Sequence, residues 1–446
     1  MKTTKHIAAA ALVLFLLLPA ALGESVKFKE HRLKNGLRVI LSEDHSTPTY
    51  SIVVTYNAGS RDERPGRTGF AHLFEHMMYQ GSENVGKGEH FIYIENNGGG
   101  MNGSTSADRT EYHQTLPANQ IDLGLFLEAD RMRSLVINQS NLDNQRATVQ
   151  EERRQRYDNQ PYGRTFETLL DTTYDNFAYK HTTIGSMEDL NAATVQDVAA
   201  FFKTYYAPNN AVLSLVGDFK TEDVLAKVEK YFGNIPSQPS PPQPDTTEPK
   251  QTAERRKTLE DPLAQLPRID IAYKIPPGNT PDWYALAVLG EVLSGGQSSR
   301  LYQKMVRQTQ VAQGVNAGAE ESRGPSLFIA TILVSPGKNP AEVEKLFYEE
   351  LERVGKEPVT DAELEKLRML VRRSDVEQLR GTLGRARGLG ENAVFYNDPN
   401  VVNSSSEKLL AVTKEQIQKA VQTYLIETNR TVITTIPKPR KEGAVQ

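Results

Sequence analysis

The chain has 446 residues, 38% hydrophobic and 24% charged, which fits two globular domains better than one. Its formal net charge is −4 and it contains no polybasic segment, so nucleic acid is excluded as an expected partner. The absence of cysteine excludes disulfides and thiolate metal ligands, which leaves histidine and carboxylate as the metal-binding side chains.

Residues 1–23 have the pattern of a secretory signal peptide. Lys2 and Lys5 precede the apolar residues 7–18, and small residues follow at the expected cleavage site. The apolar run is short for a membrane span. We therefore expect cleavage, export to a bacterial periplasm and no stable membrane insertion afterwards; an uncleaved anchor is the alternative.

The next informative segment, residues 70–78, is predicted to be a helix with one apolar side. The apolar residues at helical spacing are Phe70, Leu73, Met77 and Met78. On the other side, His72, Glu75 and His76 spell H-x-x-E-H. Residues four apart share a helix face, so both imidazoles can bind one ion while Glu75 lies beside them.

A third metal ligand is expected from elsewhere, because two neutral imidazoles leave a dication undercoordinated. Residues 141–156 form a glutamate-rich helical pattern with Ser140 or Asn141 as the expected N-cap. This pattern contains the adjacent Glu151 and Glu152. Neighbours on a helix point about 100° apart, so only one of them can face the metal, and helical geometry alone leaves both open.

Strand and helix patterns alternate through the first half. Residues 37–41, 51–56 and 104–116 are predicted strands, and residues 120–135 are a predicted amphipathic helix. The simplest architecture is an α+β fold in which helices pack on a mainly antiparallel sheet.

The chain is predicted to contain two homologous domains. A proline-rich linker, residues 236–250, separates a metal-binding domain at residues 24–235 from a second domain at residues 251–446. The pattern of residues 194–216 is repeated at residues 413–435. Each segment is predicted to have a capped helix, a tyrosine, a turn and a strand.

The second half lacks the metal-binding side chains. Its counterpart of the histidine helix, around residues 283–293, has no histidine, and Arg372 stands where the first half has Glu152. We expect this domain to form a wall of the cleft and to contact substrate without binding metal.

The sequence resembles the pitrilysin and insulysin family of inverted-motif zinc peptidases, in particular its short-chain processing-peptidase type. Besides H-x-x-E-H, the matching stretches are residues 70–72, 99–105, 146–152 and 206–217. In that family a glutamate follows the motif at a set distance, and alignment on Arg146 selects Glu152 over Glu151.

The resemblance implies a zinc metalloendopeptidase that hydrolyses peptides or unfolded protein segments. One zinc ion per chain would be bound by His72, His76 and Glu152. Glu75 would act as general base, taking a proton from water and passing it to the leaving amine. The resemblance also implies substrate contacts from Asn102, on a strand that borders the cleft and pairs with extended peptides.

Two departures from the family pattern concern charge and substrate contact. Gln145 stands where active members usually have a glutamate. Arg307 matches a substrate-directed arginine of the second half, but the tyrosine that follows it in many members is missing, and Gln313 lies nearest its place. We therefore expect the zinc-bearing subunit of a two-chain enzyme, with a homologous partner that lacks the motif; a homodimer is the alternative.

Two other classes of protein compete with the enzyme. Some relatives are non-catalytic scaffolds or core subunits of larger complexes, but those usually lose metal residues, and this chain has the full set. A metal-binding or sensor protein would need a fourth ligand. The nearest spare histidines are His90 and His113, and neither belongs to the motif.

Overall fold

The computed structural model describes residues 25–438, so the predicted signal peptide at residues 1–23 lies outside the described residues. Among the described helices, none is both long enough and apolar enough to cross a membrane.

The first half contains a six-stranded sheet. Its strands β1–β6 are Lys29–Arg32, Arg38–Glu43, Thr49–Tyr56, Gly100–Thr105, Thr110–Pro117 and Ala211–Gly217. Helices α1–α8 are Phe70–Met77, Glu89–Asn96, Ile121–Ser134, Gln139–Arg153, Thr165–Thr173, Met187–Ala192, Val195–Tyr205 and Thr221–Phe232. The strand order is β1-β2-β6-β3-β5-β4, with β2 and β6 parallel and the other pairs antiparallel. β4 is therefore an edge strand.

The second half repeats this plan with five strands. Strands β7–β11 are Arg255–Asp261, Arg268–Ile275, Ala312–Glu320, Ser326–Val334 and Arg430–Pro437. Helices α9–α14 are Pro281–Ser294, Pro340–Lys356, Asp361–Leu379, Thr382–Phe395, Val401–Leu410 and Lys414–Tyr424. The order β7-β11-β8-β10-β9 matches that of the first sheet without β1, and β7 and β11 form its parallel pair.

The predicted fold class and the predicted duplication are confirmed by these two sheets. The repeated segment is α7 followed by β6 in one half and α14 followed by β11 in the other. Thr194 and Thr413 cap the two helices in the same way, each accepting a hydrogen bond from the backbone N–H three residues on.

The two halves exchange one helix each. Helix α5 of the first half packs on the second sheet, where Thr165 Oγ1 lies 2.8 Å from Thr435 Oγ1. Helix α12 of the second half packs on the outer face of the first sheet. There, a Cβ atom at Gly390 would lie 2.7 Å from Thr55 Oγ1 and 2.9 Å from Ser214 Oγ, so the glycine permits the close approach.

This exchange means that each sheet is covered on one face by a helix from the other half. Strand β3 shows the result, because seven of its eight residues are buried. Residues 236–254 of the described chain contain neither helix nor strand. The limits 24–235, 236–250 and 251–446 remain predictions.

Helix α11 begins at a charged cap. Thr360 and Glu363 exchange hydrogen bonds in a capping box, and Arg300 donates to both oxygens of Glu363 at 2.6 and 2.7 Å. Burial alone would raise the pKa of Glu363, but the hydrogen bonds from Arg300 and from the Thr360 backbone N–H lower it to about 2.

Two local predictions were wrong. Residues 104–116 are not one strand: β4 ends at Thr105 and β5 begins at Thr110, joined by a turn in which Ser106 N donates to Arg109 O. The N-cap of α4 is Asn138, because its side chain accepts from the free N–H of Asn141.

Candidate active site

The first turn of α1 is fixed by a remote carboxylate. Gly69, with φ of 84°, is the N-cap and has no side chain to accept from the free N–H groups of the helix. Glu63 accepts instead, from Gly69 N at 2.9 Å and from Ala71 N at 2.8 Å. His181 Nε2 lies 3.0 Å from the same carboxylate. The buried Glu63–His181 pair therefore positions the start of the histidine helix.

The predicted apolar side of α1 is buried. Its members Phe70, Leu73, Met77 and Met78 are all in the core, together with Phe74, which packs against Phe201, Phe202 and Tyr206. The side chains of His72 and His76 remain 14% and 23% exposed on the other side. Packing of the apolar side thus leaves both imidazoles on the solvent-accessible side of α1.

The two imidazoles meet a carboxylate from α4. His72 Nε2 and His76 Nε2 lie 3.6 and 3.4 Å from Glu152 Oε2, and one ligand atom from each of the three residues lies within 4.8 Å of the others. Ligand atoms bound tetrahedrally at about 2.0–2.1 Å from zinc are roughly 3.3–3.5 Å apart. Both nitrogen–oxygen separations therefore suit a single ion between them.

The structure distinguishes the two adjacent glutamates. Glu151 is exposed and accepts hydrogen bonds from Arg154 and Gln155 along the helix surface. Glu152 faces the histidines, and its Oε1 pairs with Arg156 at 2.6 Å. Glu152, rather than Glu151, is thus brought to the two imidazoles.

Glu75 lies between the histidines and the edge of the sheet. Its Oε2 accepts a hydrogen bond of 2.5 Å from Thr105 Oγ1 on β4. A Cβ atom at Gly103 would lie 2.9 Å from Glu75 Oε1, so the glycine lets β4 approach the carboxylate. Any chain that paired with the free edge of β4 would pass close to Glu75.

The protonation of these groups follows from their surroundings. Burial, reinforced by the neighbouring His76, lowers the pKa of His72 to about 4. The nearby His76 ring lowers the pKa of Glu152, and burial raises the pKa of Glu75 against the hydrogen bond from Thr105. At neutral pH the three converging side chains therefore include a neutral imidazole and an anionic carboxylate.

These residues fit a zinc ion. Two imidazoles with one carboxylate form a donor set found in catalytic zinc sites. A ligating imidazole usually donates its other N–H to a partner. The buried Nδ1 of His72 has no hydrogen-bond partner among residues 25–438.

The remaining predicted residues are distributed between the two halves. Asn102 is exposed on β4, and its Oδ1 accepts from Gly103 N. Arg307 lies in the π-helical turn Tyr302–Gln308, where its guanidinium is 5.9 Å from the ring centre of Tyr302. Gln313, on the edge strand β9, donates to Ser335 Oγ. Gly103 and Thr105 face Glu75, so the side chain of Asn102, one residue away on β4, lies on the opposite face of the strand. Within the described chain, no hydrogen bond joins Asn102 to Glu75 or Arg307 to the histidine cluster.

The spare polar residues do not join the cluster. His90 is buried with its Nε2 3.2 Å from Gln114 Oε1. His113 lies 3.8 Å from Glu111, on the face of β5 that α12 covers. Gln145 is buried and donates to Asn144. A fourth protein ligand is therefore not found near the histidines in the part of the chain that the structure describes.

Four residues that support the site were not predicted from the sequence: Glu63, Thr105, Arg156 and His181. The spacing of Arg156, four residues after Glu152 on a helical pattern, was a usable signal. Glu63 and His181 come together across 118 residues, which no local pattern indicates.

The structure thus combines two α+β halves of one topology with a His-His-Glu cluster beside the half-buried Glu75. Residues 38–186 match the family described as Insulinase (Peptidase family M16), and residues 192–371 match the one described as Peptidase M16 inactive domain. The chain therefore contains the N-terminal and the C-terminal domain types of the M16 peptidase family.

Individual relatives agree with this assignment. The chain is 28% identical to the Zinc protease PqqE of Helicobacter pylori, over 98% of this chain and 99% of that protein. It is 27% identical to the mitochondrial-processing peptidase subunit beta of Blastocladiella emersonii, over 49% of this chain and 47% of that protein. The crystal structure of a protease from Helicobacter pylori superposes with a TM-score of 0.88 at 28% identity, covering 92% of this chain and 100% of that one.

Proposed function

We propose that this protein is a zinc metalloendopeptidase that hydrolyses peptides or unfolded protein segments. The observation that supports the proposal best is the convergence of His72, His76 and Glu152 on a space suited to one ion, with Glu75 beside it. The M16 domain matches and the zinc proteases among its relatives point the same way.

The side chains have separate roles in hydrolysis. His72, His76 and Glu152 would hold the zinc ion, which when bound supplies a Lewis acid that polarises a carbonyl and makes water more acidic. Glu75 takes a proton from the attacking water and gives it to the departing amine. Thr105 holds Glu75 Oε2, so Oε1 is oriented for the proton transfer.

Substrate would bind as an added strand. β4 is an edge strand and includes Asn102, while Gly103 lies against Glu75. Backbone hydrogen bonds to an extended peptide would place a peptide bond beside the carboxylate and would demand little of the side chains. Unfolded segments can adopt the extended conformation that this pairing requires, whereas folded proteins cannot.

We further propose that the enzyme works with a second subunit. The missing tyrosine after Arg307 removes an expected substrate contact, and a homologous chain without the motif could supply it. The likeness to a mitochondrial-processing peptidase subunit beta supports a heterodimer; a homodimer is the second possibility. The proposed location is the bacterial periplasm, reached through the predicted signal peptide.

The test combines metal analysis with a peptidase assay. We expect about one zinc per chain and cleavage of a quenched fluorescent peptide and of unfolded casein, lost with a chelator and restored by zinc. Glu75→Gln should keep the zinc and slow turnover by about 10²- to 10⁴-fold. The matched control is Glu95→Gln, an exposed glutamate on α2, which should behave as wild type.

Two results would contradict the proposal. Glu75→Gln cleaving at the wild-type rate would remove the assigned general base. A zinc-loaded protein that cleaves neither substrate, alone or with a homologous subunit, would favour the non-catalytic scaffold instead.

A further inference from the structure

The turn between β4 and β5, residues 106–109, comes directly after Thr105, whose hydroxyl donates to Glu75. Within the turn, Ala107 O accepts from Arg61 N at 3.0 Å, which holds the turn against the first half. A shift of the turn would move Thr105 with it, because consecutive Cα atoms stay about 3.8 Å apart. The position of this turn therefore affects the orientation of the Glu75 carboxylate.

Asp108 is a buried carboxylate in this turn, with 3% of its surface exposed. Its Oδ1 accepts from Arg61 Nη1 at 2.9 Å and from the Tyr179 hydroxyl at 2.7 Å, both in the first half. Its Oδ2 accepts from the backbone N–H of Arg323 at 3.1 Å, in the second half. A buried carboxylate needs hydrogen-bond donors to replace its hydration. One of the donors to Asp108 therefore comes from the other half of the chain.

The second-half partner is the loop of residues 321–325, which joins β9 to β10. Tyr179 strengthens its contact with the turn, because the tyrosine hydroxyl donates to Asp108 and accepts from Gly324 N at 2.8 Å. A Cβ atom at Gly324 would lie 2.5 Å from the Tyr179 ring, so the glycine permits the close approach. The backbone N–H groups of Arg323 and Gly324 are thus both bound by first-half side chains beside the end of β4.

We propose that Asp108 and Tyr179 are positioning residues, through which the second half holds β4 and, by way of Thr105, the Glu75 carboxylate. The kinetic consequence rests on the proposed peptidase function, whereas the structural coupling does not. Asp108 and Tyr179 bind groups other than the metal-binding side chains, so a change at either should reach Glu75 only through β4. The second half, which contains no histidine, would then support the reaction without touching metal or substrate.

Hydrogen–deuterium exchange on the full-length chain tests the structural coupling. Tyr179→Phe removes the hydroxyl that joins Asp108 to Gly324 and keeps the ring. We expect the β4 amides that pair with β5 to exchange at least about 3-fold faster than in wild type, because the turn loses its attachment to the second half. Gly324→Ala displaces the loop without altering a first-half residue and should have the same effect. The matched control is Tyr162→Phe, which removes another hydroxyl hydrogen bond between the halves, to Leu266 O at 2.8 Å, and should leave β4 unchanged.

A double-mutant cycle with Thr105→Val in the zinc-loaded enzyme tests the route to Glu75. Tyr179→Phe alone should lower kcat about 3- to 10-fold, no more than the loss of one hydrogen bond to Glu75 would. Its zinc affinity should equal that of wild type. In the Thr105→Val background, the same change should lower kcat by less than about 2-fold, because the connection to Glu75 is already broken.

The coupling would be overturned if β4 exchanged as in wild type in Tyr179→Phe or in Gly324→Ala, or equally fast in Tyr162→Phe. The route through Thr105 would be overturned by an unchanged kcat in Tyr179→Phe, by losses that multiply in the double variant, or by a zinc affinity that falls together with kcat. Failure of the peptidase function gives a different result, in which β4 exchanges faster in both variants although the wild type cleaves no peptide.

Discussion

Glu63 provides a quantitative test of how the histidine helix is positioned. Glu63→Ala leaves the N–H groups of Gly69 and Ala71 and the ring of His181 without their shared acceptor. Each buried donor left unpaired costs about 1–3 kcal/mol, so we expect the free energy of unfolding to fall by about 3–5 kcal/mol. Glu63→Gln keeps one acceptor oxygen and should lose less, about 2–3 kcal/mol.

The same change should weaken zinc binding without touching a ligand. When the first turn of α1 frays, His72 and His76 lose their common orientation, and a loss of about 10- to 100-fold in zinc affinity is expected. Urea unfolding followed by circular dichroism measures stability, and competition with a chelating dye measures the zinc dissociation constant. The control is Glu188→Gln, an exposed glutamate in the first turn of α6, which should change stability by less than about 0.5 kcal/mol.

This account of α1 would be refuted by a Glu63→Ala protein that unfolds within about 1 kcal/mol of wild type. It would also be refuted by a destabilised variant whose zinc affinity equals that of wild type, because the cap would then have no part in positioning the histidines.

Three further predictions address the base, the α11 cap and the exchanged helix. Thr105→Val should lower kcat about 10-fold with unchanged zinc content, because Glu75 loses one hydrogen bond; an unchanged kcat argues against a positioning role. Glu363 has a pKa lowered to about 2, so its contribution is present above about pH 4.5 and is lost as the pH falls toward 2. Allowing for screening by solvent, Glu363→Gln should cost about 1–2 kcal/mol at pH 7. The cost should shrink in urea titrations near pH 3, and a constant difference would contradict the assignment. Gly390→Ala should destabilise by about 1–3 kcal/mol because its Cβ meets the first sheet, whereas Gly355→Ala in α10, whose Cβ would meet only side-chain carbons at 3.8 Å, should not. Equal melting temperatures for the two variants would show that α12 moves away from the sheet at little cost.

Most of the fold followed from local patterns. The capped helices that begin after Thr194 and Thr413 and the strands after them repeat in the sequence as they do in the structure. The exchange of α5 and α12 did not follow, because an amphipathic helix does not specify which of two similar sheets will cover it. The turn between β4 and β5 was missed because its residues, Ser106 and Asp108 among them, lie within a run of strand-forming neighbours.

The residues of the candidate site that lie close together in the sequence could be predicted, and those that come together only in the folded chain could not. His72, Glu75 and His76 lie on one helical turn, so their spacing alone indicated metal binding. Choosing between Glu151 and Glu152 required the family pattern, because the helical pattern alone is compatible with either residue as the ligand. The Glu63–His181 pair depends on tertiary packing across the first half, which no local pattern specifies.

The zinc content of three purified proteins tests the proposed metal centre most directly. Wild type and Glu151→Gln should each bind about one zinc per chain with similar affinity, because Glu151 faces away from the histidines. Glu152→Gln should lose the ion or bind it far more weakly, because Glu152 is the one carboxylate among residues 25–438 that forms a cluster with both imidazoles. Equal zinc binding by Glu152→Gln and wild type would contradict the proposed ligand set.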